Sequence, residues 1–366
     1  MNDISVFKVL FVLGSASNAG TEKQTIRLAM ELKARGVEVF VVLLTSGGPL
    51  LKILESNDIP YLILGIRIRK FQPFKNIKGI RKYVQVLKQN RPDIIQSQLI
   101  ESVIFNNFMH VFNRTPIVNL AGIRGEIPYK NRLVELVIKL LLRKSDGVIV
   151  NATHLEFEVQ NRFGIPNSNI HKLRNGVDFQ VQSADVSKSP PTAVVIANFL
   201  PYKGYPELFA ALKDIDTQIS VKICGVGPRY HEYQELCRSY EIENIVTFLQ
   251  QPIDLQQVLQ ESQFAIHPSK TEGLSNAVLE ELSFGLPIIA LDIPGNLELI
   301  RDGVNGYKVE VGEIEKMRES IKNMSSDPDL RLRMGRESKQ LVQGYSWENT
   351  VDTYVAICLY VLHKRV

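Results

Sequence analysis

Two glutamates eight residues apart, Glu272 and Glu280, are the residues of this chain whose spacing most clearly points to chemistry. They lie in the stretch TEGLSNAVLEELSFGLP at residues 271–287, the first beside a glycine and the second inside a predicted helix. An ionised carboxylate has two acceptor oxygens side by side, which suits the vicinal hydroxyls of a ribose or a hexose. Taken alone, the stretch favours the simpler interpretation of two exposed glutamates without a ligand. Glu281 lies about 100° further round the helix than Glu280 and is predicted to face solvent.

The residues between the two glutamates predict a helix start that can bind a phosphate. Apolar spacing and stop signals place the helix at about Asn276 to Phe284, with Gly285 following it. Ser275 is the predicted N-cap, because its hydroxyl can accept a hydrogen bond from the first helical turn. Backbone N–H groups at such a start point outward, and the helix dipole favours an anion there. The predicted backbone donors are those of Gly273, Leu274 and Ser275.

Three glycine-containing loops elsewhere are also candidates for binding a phosphate. In GSASNAGTEKQ, Gly20 lies where the first predicted helix begins. In ANFLPYKGYPEL, Lys203 and Gly204 lie between a strand and a helix, where a lysine can reach a diphosphate as a point charge. In CGVGPRY, Gly225 and Gly227 end a strand and allow a flat group or a phosphate to lie against the backbone. Each loop alone is also consistent with an ordinary turn.

The elements around these loops predict an α/β fold. Short β-branched runs alternate with helical stretches, six strand candidates before the polar stretch VQSADVSKSPP and six after it. This alternation of strands and helices predicts parallel, doubly wound sheets in two domains. A cleft is expected where the carboxyl ends of the strands face each other. The predicted boundaries are 1–180 for the N-terminal domain, 181–191 for a linker, 192–345 for the second domain, and 346–366 for a last helix.

Composition indicates a globular, water-soluble protein without a metal. Hydrophobic residues make up 45% and charged residues 22% of the 366-residue chain. The apolar run Val9–Leu13 is too short for a membrane span, and three widely spaced cysteines are typical of a reducing cytosol, so we expect a cytoplasmic protein. Two D-x-D triplets, Asp214–Asp216 and Asp327–Asp329, do not follow strands, and Asp327 reads as an N-cap before a proline. We therefore expect no metal.

Charge is distributed unevenly along the chain. Residues 1–180 carry a net charge of +11 and residues 181–366 a net charge of −7. Between Ile59 and Pro92 there are nine basic residues and no acid. This run is either an ordinary solvated helix face or a surface for an anionic partner, such as phospholipid head groups or a lipid phosphate; nucleic acid is the least favoured partner. The basic residues are Arg67, Arg69, Lys70, Lys75, Lys78, Arg81, Lys82, Lys88 and Arg91.

Over nearly its whole length the chain resembles the retaining glycosyltransferases of family 4, which have the GT-B fold. The resemblance rests on AGTE at 19–22, LRNGVD at 173–178 and LPYKG at 200–204. It rests most strongly on HPSKTEGLSNAVLEELSFGLPIIALDIPGNLELIRDGVNGYKV at 267–309, which contains the family's two glutamates. The resemblance implies two Rossmann-like domains, a last helix that crosses back to the first domain, and no cofactor besides the nucleotide-sugar substrate.

The resemblance also assigns roles to individual residues. Glu272 would bind the hydroxyls of the donor sugar near the reacting carbon, and Glu280 would hold the ribose. Lys203 would contact the donor diphosphate from the second domain, and the loop at Gly20 would approach it from the first. The other predicted donor contacts are Asn198, Gly204, Gly225, Gly227, Gly273, Leu274 and Ser275. Contacts to the nucleotide base are expected at the strand ends near Gly225 and Gln250–Pro252.

Two departures from the family pattern concern charge and histidines. Asn198 stands where the family usually has an arginine, five residues before Lys203. In PDIIQSQ, Gln96 and Gln98 stand where histidines are frequent. Arg124, after the next predicted strand, is our candidate for the missing positive or donor group, which makes it a predicted catalytic residue with Glu272 and Lys203.

The predicted reaction moves a sugar from a UDP- or GDP-sugar to an acceptor hydroxyl, with retention and without a metal. The leaving phosphate would take the acceptor proton while the protein supplies position and charge. We expect a saccharide or lipid-linked saccharide acceptor in cell-surface polysaccharide or lipid-linked glycan synthesis, and a peripheral position on the inner face of the membrane through Arg67–Arg91. Alternatives are a nucleotide-sugar epimerase, which would need no acceptor, and a non-catalytic nucleotide-sugar-binding subunit.

Overall fold

The computed structural model forms two compact units. Unit 1 comprises Met1–Gly176 and Trp347–Val366, and unit 2 comprises Val177–Ser346. Each unit is built on its own parallel sheet with helices on both faces, which confirms the predicted fold class. The residues that the structure describes are 7–66, 73–112, 116–125, 127, 131–180, 182–249 and 253–364.

Unit 1 contains a parallel sheet of seven strands within its described residues, in the order β3-β2-β1-β4-β5-β6-β7. The order reverses between β1 and β4, as in a doubly wound sheet. Its strands are β1 (Lys8–Ser15), β2 (Glu38–Ser46), β3 (Tyr61–Ile63), β4 (Ile94–Gln98), β5 (Val118–Ile123), β6 (Gly147–Val150) and β7 (Ile170–Lys172). Its helices are α1 (Gly20–Ala34), α2 (Leu51–Ser56), α3 (Pro73–Asn90), α4 (Ile100–Phe112), α5 (Arg132–Leu142), α6 (Thr153–Phe163) and α13 (Trp347–Lys364).

The central strand β1 is apolar on both faces because both faces are covered by helices. Val9 and Phe11 pack into one cluster with residues of α1 and α13, while Leu10 and Val12 pack into another with residues of α3 and α4. Continuous apolar strands of this kind are typical of buried parallel sheets. Unlike the longer strands, β7 has three half-buried residues, and sequence patterning missed it.

The last helix, α13, packs in unit 1 although it follows unit 2 in the chain. Tyr354 is fully buried and its ring lies 6.0 Å from that of Phe11 on β1. Trp347 lies against Gly176, where a Cβ atom would overlap the indole ring. Cys358 of α13 lies in the same apolar core as Phe11. These contacts place the last helix in unit 1, as the resemblance implied.

Unit 2 contains a parallel sheet of six strands within its described residues, in the order β10-β9-β8-β11-β12-β13. Its strands are β8 (Thr192–Ile196), β9 (Ser220–Cys224), β10 (Val246–Leu249), β11 (Phe264–His267), β12 (Ile288–Leu291) and β13 (Gly306–Val309). Its helices are α7 (Tyr205–Leu212), α8 (Tyr230–Ser239), α9 (Leu255–Gln260), α10 (Asn276–Ser283), α11 (Ile314–Ser326) and α12 (Pro328–Val342).

The stretch 182–191, within the predicted linker, is attached to unit 2 by a buried arginine. Arg331 on α12 is fully buried. Its guanidinium donates to the backbone carbonyl of Val186 at 2.6 Å and to that of Lys188 at 2.9 Å. Because buried carbonyls need donors, these bonds hold the stretch against α12.

Candidate active site

Three loops leave the carboxyl edge of the unit 2 sheet next to one another. They follow β8, β9 and β11, and glycines let their backbones touch. A Cβ atom on Gly225 would overlap the carbonyl oxygen of Ala197, and one on Gly204 would overlap that of Pro268. Gly204 also has a φ of +69°, which favours glycine. The contact at Gly204 places Lys203 beside the loop that leads from β11 to α10.

Glu272 in this loop is paired with a lysine and lies close to a histidine. Lys203 Nζ forms an ion pair with Glu272 Oε1, and His267 Nε2 lies 3.4 Å from the same oxygen. His267 is buried, and its Nε2 is also 3.3 Å from the hydroxyl of Ser275. Both contacts are made by Oε1 of Glu272.

These neighbours keep the carboxylate of Glu272 ionised. Burial alone would raise the pKa of Glu272, but hydrogen bonding and charge from His267, together with Lys203, lower it to about 2. The side chain is only 18% exposed, so its charge acts in a medium of reduced dielectric constant. Glu272 is therefore a partly buried acceptor at the edge of the sheet that is ionised at neutral pH.

The helix start after Glu272 is formed as predicted. Ser275 caps α10 by accepting a hydrogen bond from the backbone N–H of Val278 at 3.4 Å. The helix ends at Ser283, and Gly285 follows with a φ of +77°. A Cβ atom on Gly295 would overlap the carbonyl oxygen of Gly273, so the turn after β12 supports the Glu272 loop from the other side.

Glu281 contradicts its prediction as a solvated residue. It is fully buried, and neither carboxyl oxygen has a hydrogen-bond partner in the described part of the chain. Burial, and then the charges of Glu280 and Glu272, raise the pKa of Glu281 well above its usual value of 4.5. The prediction was wrong because α10 is covered on its outer side as well: it packs on α12, and Ala184 N–H donates to the carbonyl of Phe284. Glu280, by contrast, is only half-buried.

Two predicted site residues, Gly20 and Arg124, belong to unit 1. Gly20 is the first residue of α1. Arg124 follows β5, and its guanidinium donates to Gln98 Oε1 at 3.3 Å and to Asn175 Oδ1 at 2.7 Å. Burial lowers the pKa of Arg124 to about 10. Gln98 and Asn175 are neutral amides, so Arg124 brings a positive charge to the carboxyl edge of the unit 1 sheet.

The other predicted donor residues lie at the carboxyl edge of unit 2. Gly204, Gly225 and Gly227 shape the loops, and Leu274 is buried beside Glu272. Asn198 is exposed in the turn after β8. The stretch Gln250–Pro252, which we predicted to contact the base, and Arg67, Arg69 and Lys70 of the basic run lie outside the described residues.

His267 is the site residue that sequence reasoning missed. The six histidines of the chain are scattered along the sequence and form no metal-binding pattern. The available signal was its position as the last residue of a strand, five residues before Glu272. Because strand ends and their exit loops meet at one edge, a polar residue there is placed beside the loop that follows.

The D-x-D triplets have structural partners. Asp216 pairs with Lys322 at 2.7 Å, and Asp327 caps α12 by accepting from Leu330 N–H at 2.8 Å. Within the described ranges, no group of three or more histidine, cysteine, aspartate or glutamate side chains is arranged to hold a metal ion. No helix in those ranges is both long and apolar enough to span a bilayer. Cys224, Cys237 and Cys358 are buried and free.

Two doubly wound parallel sheets in one chain are the architecture of the GT-B fold. A model described as Glycosyltransferase Family 4 matches residues 19–181, and one described as Glycosyl transferases group 1 matches residues 177–341. The chain therefore belongs to the group 1, family 4 glycosyltransferases.

Curated relatives and solved structures agree with this membership. An uncharacterized glycosyltransferase of Haemophilus influenzae is 24% identical over 362 residues, covering 95% of this chain and 98% of that protein. The N,N'-diacetylbacillosaminyl-diphospho-undecaprenol alpha-1,3-N-acetylgalactosaminyltransferase of Campylobacter jejuni is 23% identical, covering 94% of this chain and 97% of that protein. The crystal structure of HepE from Anabaena in complex with UDP-glucose matches with a TM-score of 0.83 at 20% identity, over 97% of this chain and 99% of that one.

Glu281→Met is expected to stabilise the chain near neutral pH. A raised folded-state pKa means that ionisation opposes folding, so the wild-type loses stability as the pH rises above 4.5. The substitution removes this cost, and we expect a gain of roughly 1–3 kcal/mol in the free energy of unfolding. Urea unfolding at several pH values would measure the gain, which should shrink as the pH falls toward 4.5. The exposed Glu310→Met is the control, and lower stability of Glu281→Met at every pH would contradict the assignment.

Glu272→Gln is expected to show the opposite pH dependence. The depressed pKa of Glu272 contributes stability that is present above pH 4.5 and is lost as the pH falls toward about 2. The variant should therefore be less stable than the wild type near neutral pH, by roughly 2–3 kcal/mol. The difference should narrow below pH 4.5 in the same urea titrations. An undiminished difference in acid would mean that packing rather than charge stabilises this site.

Proposed function

We propose that the chain transfers a sugar from a nucleotide-diphosphate sugar to an acceptor hydroxyl, with retention of the anomeric configuration. The observation that carries this proposal is the ionised, partly buried Glu272, with Lys203 beside it and the N-terminus of α10 following it. A carboxylate acceptor, a cation and a set of backbone donors are the groups that a sugar diphosphate requires.

The donor binds at the carboxyl edge of unit 2. Oε2 of Glu272, the oxygen that is not in the ion pair with Lys203, accepts hydrogen bonds from the hydroxyls of the donor sugar. Lys203 retains donors for the diphosphate while it pairs with Glu272, because an ammonium group has three N–H donors. Backbone N–H groups of Gly273 and Leu274 contact phosphate and sugar. Glu280, half-buried on α10, holds the ribose hydroxyls.

The pKa of Glu272 supports a role in binding rather than in proton transfer. A carboxylate with a pKa of about 2 is a weak base near neutral pH. Glu272 therefore orients the sugar and stabilises positive charge on its ring. The leaving phosphate takes the proton of the acceptor hydroxyl on the same face, so that retention requires no protein nucleophile. We propose that this chemistry uses no metal, and that Arg124 contributes positive charge from unit 1.

One relative supports a saccharide acceptor that is linked to a lipid, and one solved structure supports a nucleotide-sugar donor. HepE was crystallised with UDP-glucose, and the Campylobacter jejuni relative is named for transfer to a diphospho-undecaprenol-linked sugar. We propose a role in polysaccharide or lipid-linked glycan synthesis at the inner face of the membrane. The basic run Arg67–Arg91 supports this placement, since its described residues Lys78, Arg81 and Lys82 are exposed on α3.

Nucleotide-sugars are expected to raise the thermal stability of the chain. Donor at 100 times its dissociation constant should add about 2.7 kcal/mol, so a thermal-shift screen of nucleotide diphosphates and nucleotide-sugars would identify the base and the sugar. For the sugar identified, Glu272→Ala should lose the extra shift of the nucleotide-sugar over the free nucleotide, because only the sugar contact is removed. Glu280→Ala should reduce the thermal shifts of both the nucleotide-sugar and the free nucleotide. Glu310→Ala should reduce neither shift. Equal shifts in all variants would contradict the site.

The basic face of α3 is expected to bind anionic membranes. Each basic residue near such a surface contributes about 1 kcal/mol, so replacing Lys78, Arg81 and Lys82 by glutamine should cost roughly 3 kcal/mol of binding. Co-sedimentation with phosphatidylglycerol-containing vesicles at low salt would measure it, and added salt should weaken wild-type binding. The control replaces three exposed basic residues of unit 2, namely Lys213, Arg333 and Arg336. Equal losses in both triple variants would contradict a specific surface.

A further inference from the structure

Helix α5 turns an apolar stripe outward. Four large apolar side chains recur at the i, i+3, i+4 and i+7 positions that share one helix face. All four are at least half exposed, whereas Ile138 and Leu142 on the opposite side are buried. An outward stripe of this kind marks a surface that binds something apolar. Its members are Leu133 (74% exposed), Leu136 (51%), Val137 (51%) and Leu140 (52%).

The edges of this stripe are basic. Arg132, Arg143 and Lys144, at the two ends of α5, are exposed. The one acid of the helix, Glu135, points away from the stripe, where Arg162 on α6 donates to it at 2.6 Å. The exposed face of α5 therefore combines apolar and positively charged groups without a carboxylate.

Helix α3 extends the positive charge. α5 packs against α4. On α3, Tyr83 packs edge-on against Phe105 of α4 with ring centroids 5.1 Å apart, and its hydroxyl donates to Asn106 at 2.6 Å. These helices therefore form one layer over the unit 1 sheet. The described part of α3 adds exposed Lys78, Arg81, Lys82 and Lys88 to this layer and has no acid.

We propose that α5 is a membrane-docking helix that inserts its apolar stripe into the interface of an anionic bilayer. Amphipathic helices with apolar and basic groups on one surface bind in the plane of the membrane, with the apolar side chains at the boundary between head groups and acyl chains. Arg132, Arg143 and Lys144 would then lie at the level of the lipid phosphates. A second copy of the chain fits this face less well, because two such surfaces would bring basic edges together.

This insertion goes beyond the charge attraction of α3 proposed above, and it does not depend on sugar transfer. If charge attraction alone holds the protein on the membrane, neutral substitutions of the leucines should not change binding. Insertion predicts that the leucines contribute to binding and that their environment becomes apolar on vesicles. Two experiments on the full chain separate these mechanisms.

The first experiment measures binding to vesicles of equal parts phosphatidylcholine and phosphatidylglycerol by co-sedimentation. Leu136→Ser combined with Leu140→Ser should lower the partition coefficient by at least about tenfold, because apolar area is lost while the net charge is unchanged. Val311→Ser, at a site in unit 2 that is 54% exposed, is the control and should bind like the wild type. Unchanged binding of the double variant would overturn the proposal.

The second experiment reports the depth of the helix and does not rely on a disruptive variant. Leu136→Cys and, as control, Val311→Cys are labelled with an environment-sensitive fluorophore, since the three native cysteines are buried. Anionic vesicles should shift the emission of the label at 136 to the blue and leave that at 311 unchanged. Absence of the shift at 136 while the protein is bound would overturn the proposal. So would light scattering that shows a wild-type dimer broken by the Leu136 and Leu140 substitutions.

Discussion

The charge on Glu272 is the constraint on which the candidate site depends. A carboxylate that is mostly removed from water must be paired, and here Lys203 and His267 provide the pairing. Lys203 reaches Glu272 because the loops after β8 and β11 touch through Gly204. His267 reaches it because it ends the strand from which the Glu272 loop leaves. The geometry of the sheet edge and the glycines of the loops thus hold one charge in place.

Three glutamates within ten residues illustrate how environment sets the role of one residue type. Glu272 is ionised by its partners, Glu280 is half-buried on the helix, and Glu281 is buried without a partner. Burial raises the pKa of both Glu272 and Glu281. The neighbouring groups lower the pKa of Glu272 and raise that of Glu281 further. Separation of pKa values between nearby carboxyls is typical of catalytic sites, where each has a different task. The unpartnered carboxyl of Glu281 lowers stability, and we find no structural contact that compensates for it among the described residues.

Local sequence rules predicted most helices and strands and which residues meet at the candidate site. They failed where burial by elements distant in sequence determines the environment of a side chain. The cap at Ser275 and the end of α10 before Gly285 follow from turn chemistry that the sequence displays directly. The meeting of Lys203 with Glu272 follows from parallel strands, whose carboxyl ends share an edge. Glu281 could not be predicted from helix periodicity, because the stretch that covers α10 comes from nearly a hundred residues earlier in the chain. The strand β7 is too short to display a pattern, and the outward stripe of α5 looks, in sequence, like any core-facing helix.

The anomeric configuration of the transferred sugar is the most direct test of the central claim. The full chain is incubated with the nucleotide-sugar that stabilises it and with a lipid-linked saccharide acceptor, and the product is examined by proton NMR. The proposed attack on the same face as the leaving phosphate predicts a product with the configuration of the donor. The proposed role of the Glu272 carboxylate predicts no product from Glu272→Ala. An inverted product, or transfer by Glu272→Ala at the wild-type rate, would contradict the role of Glu272 in a retaining transfer.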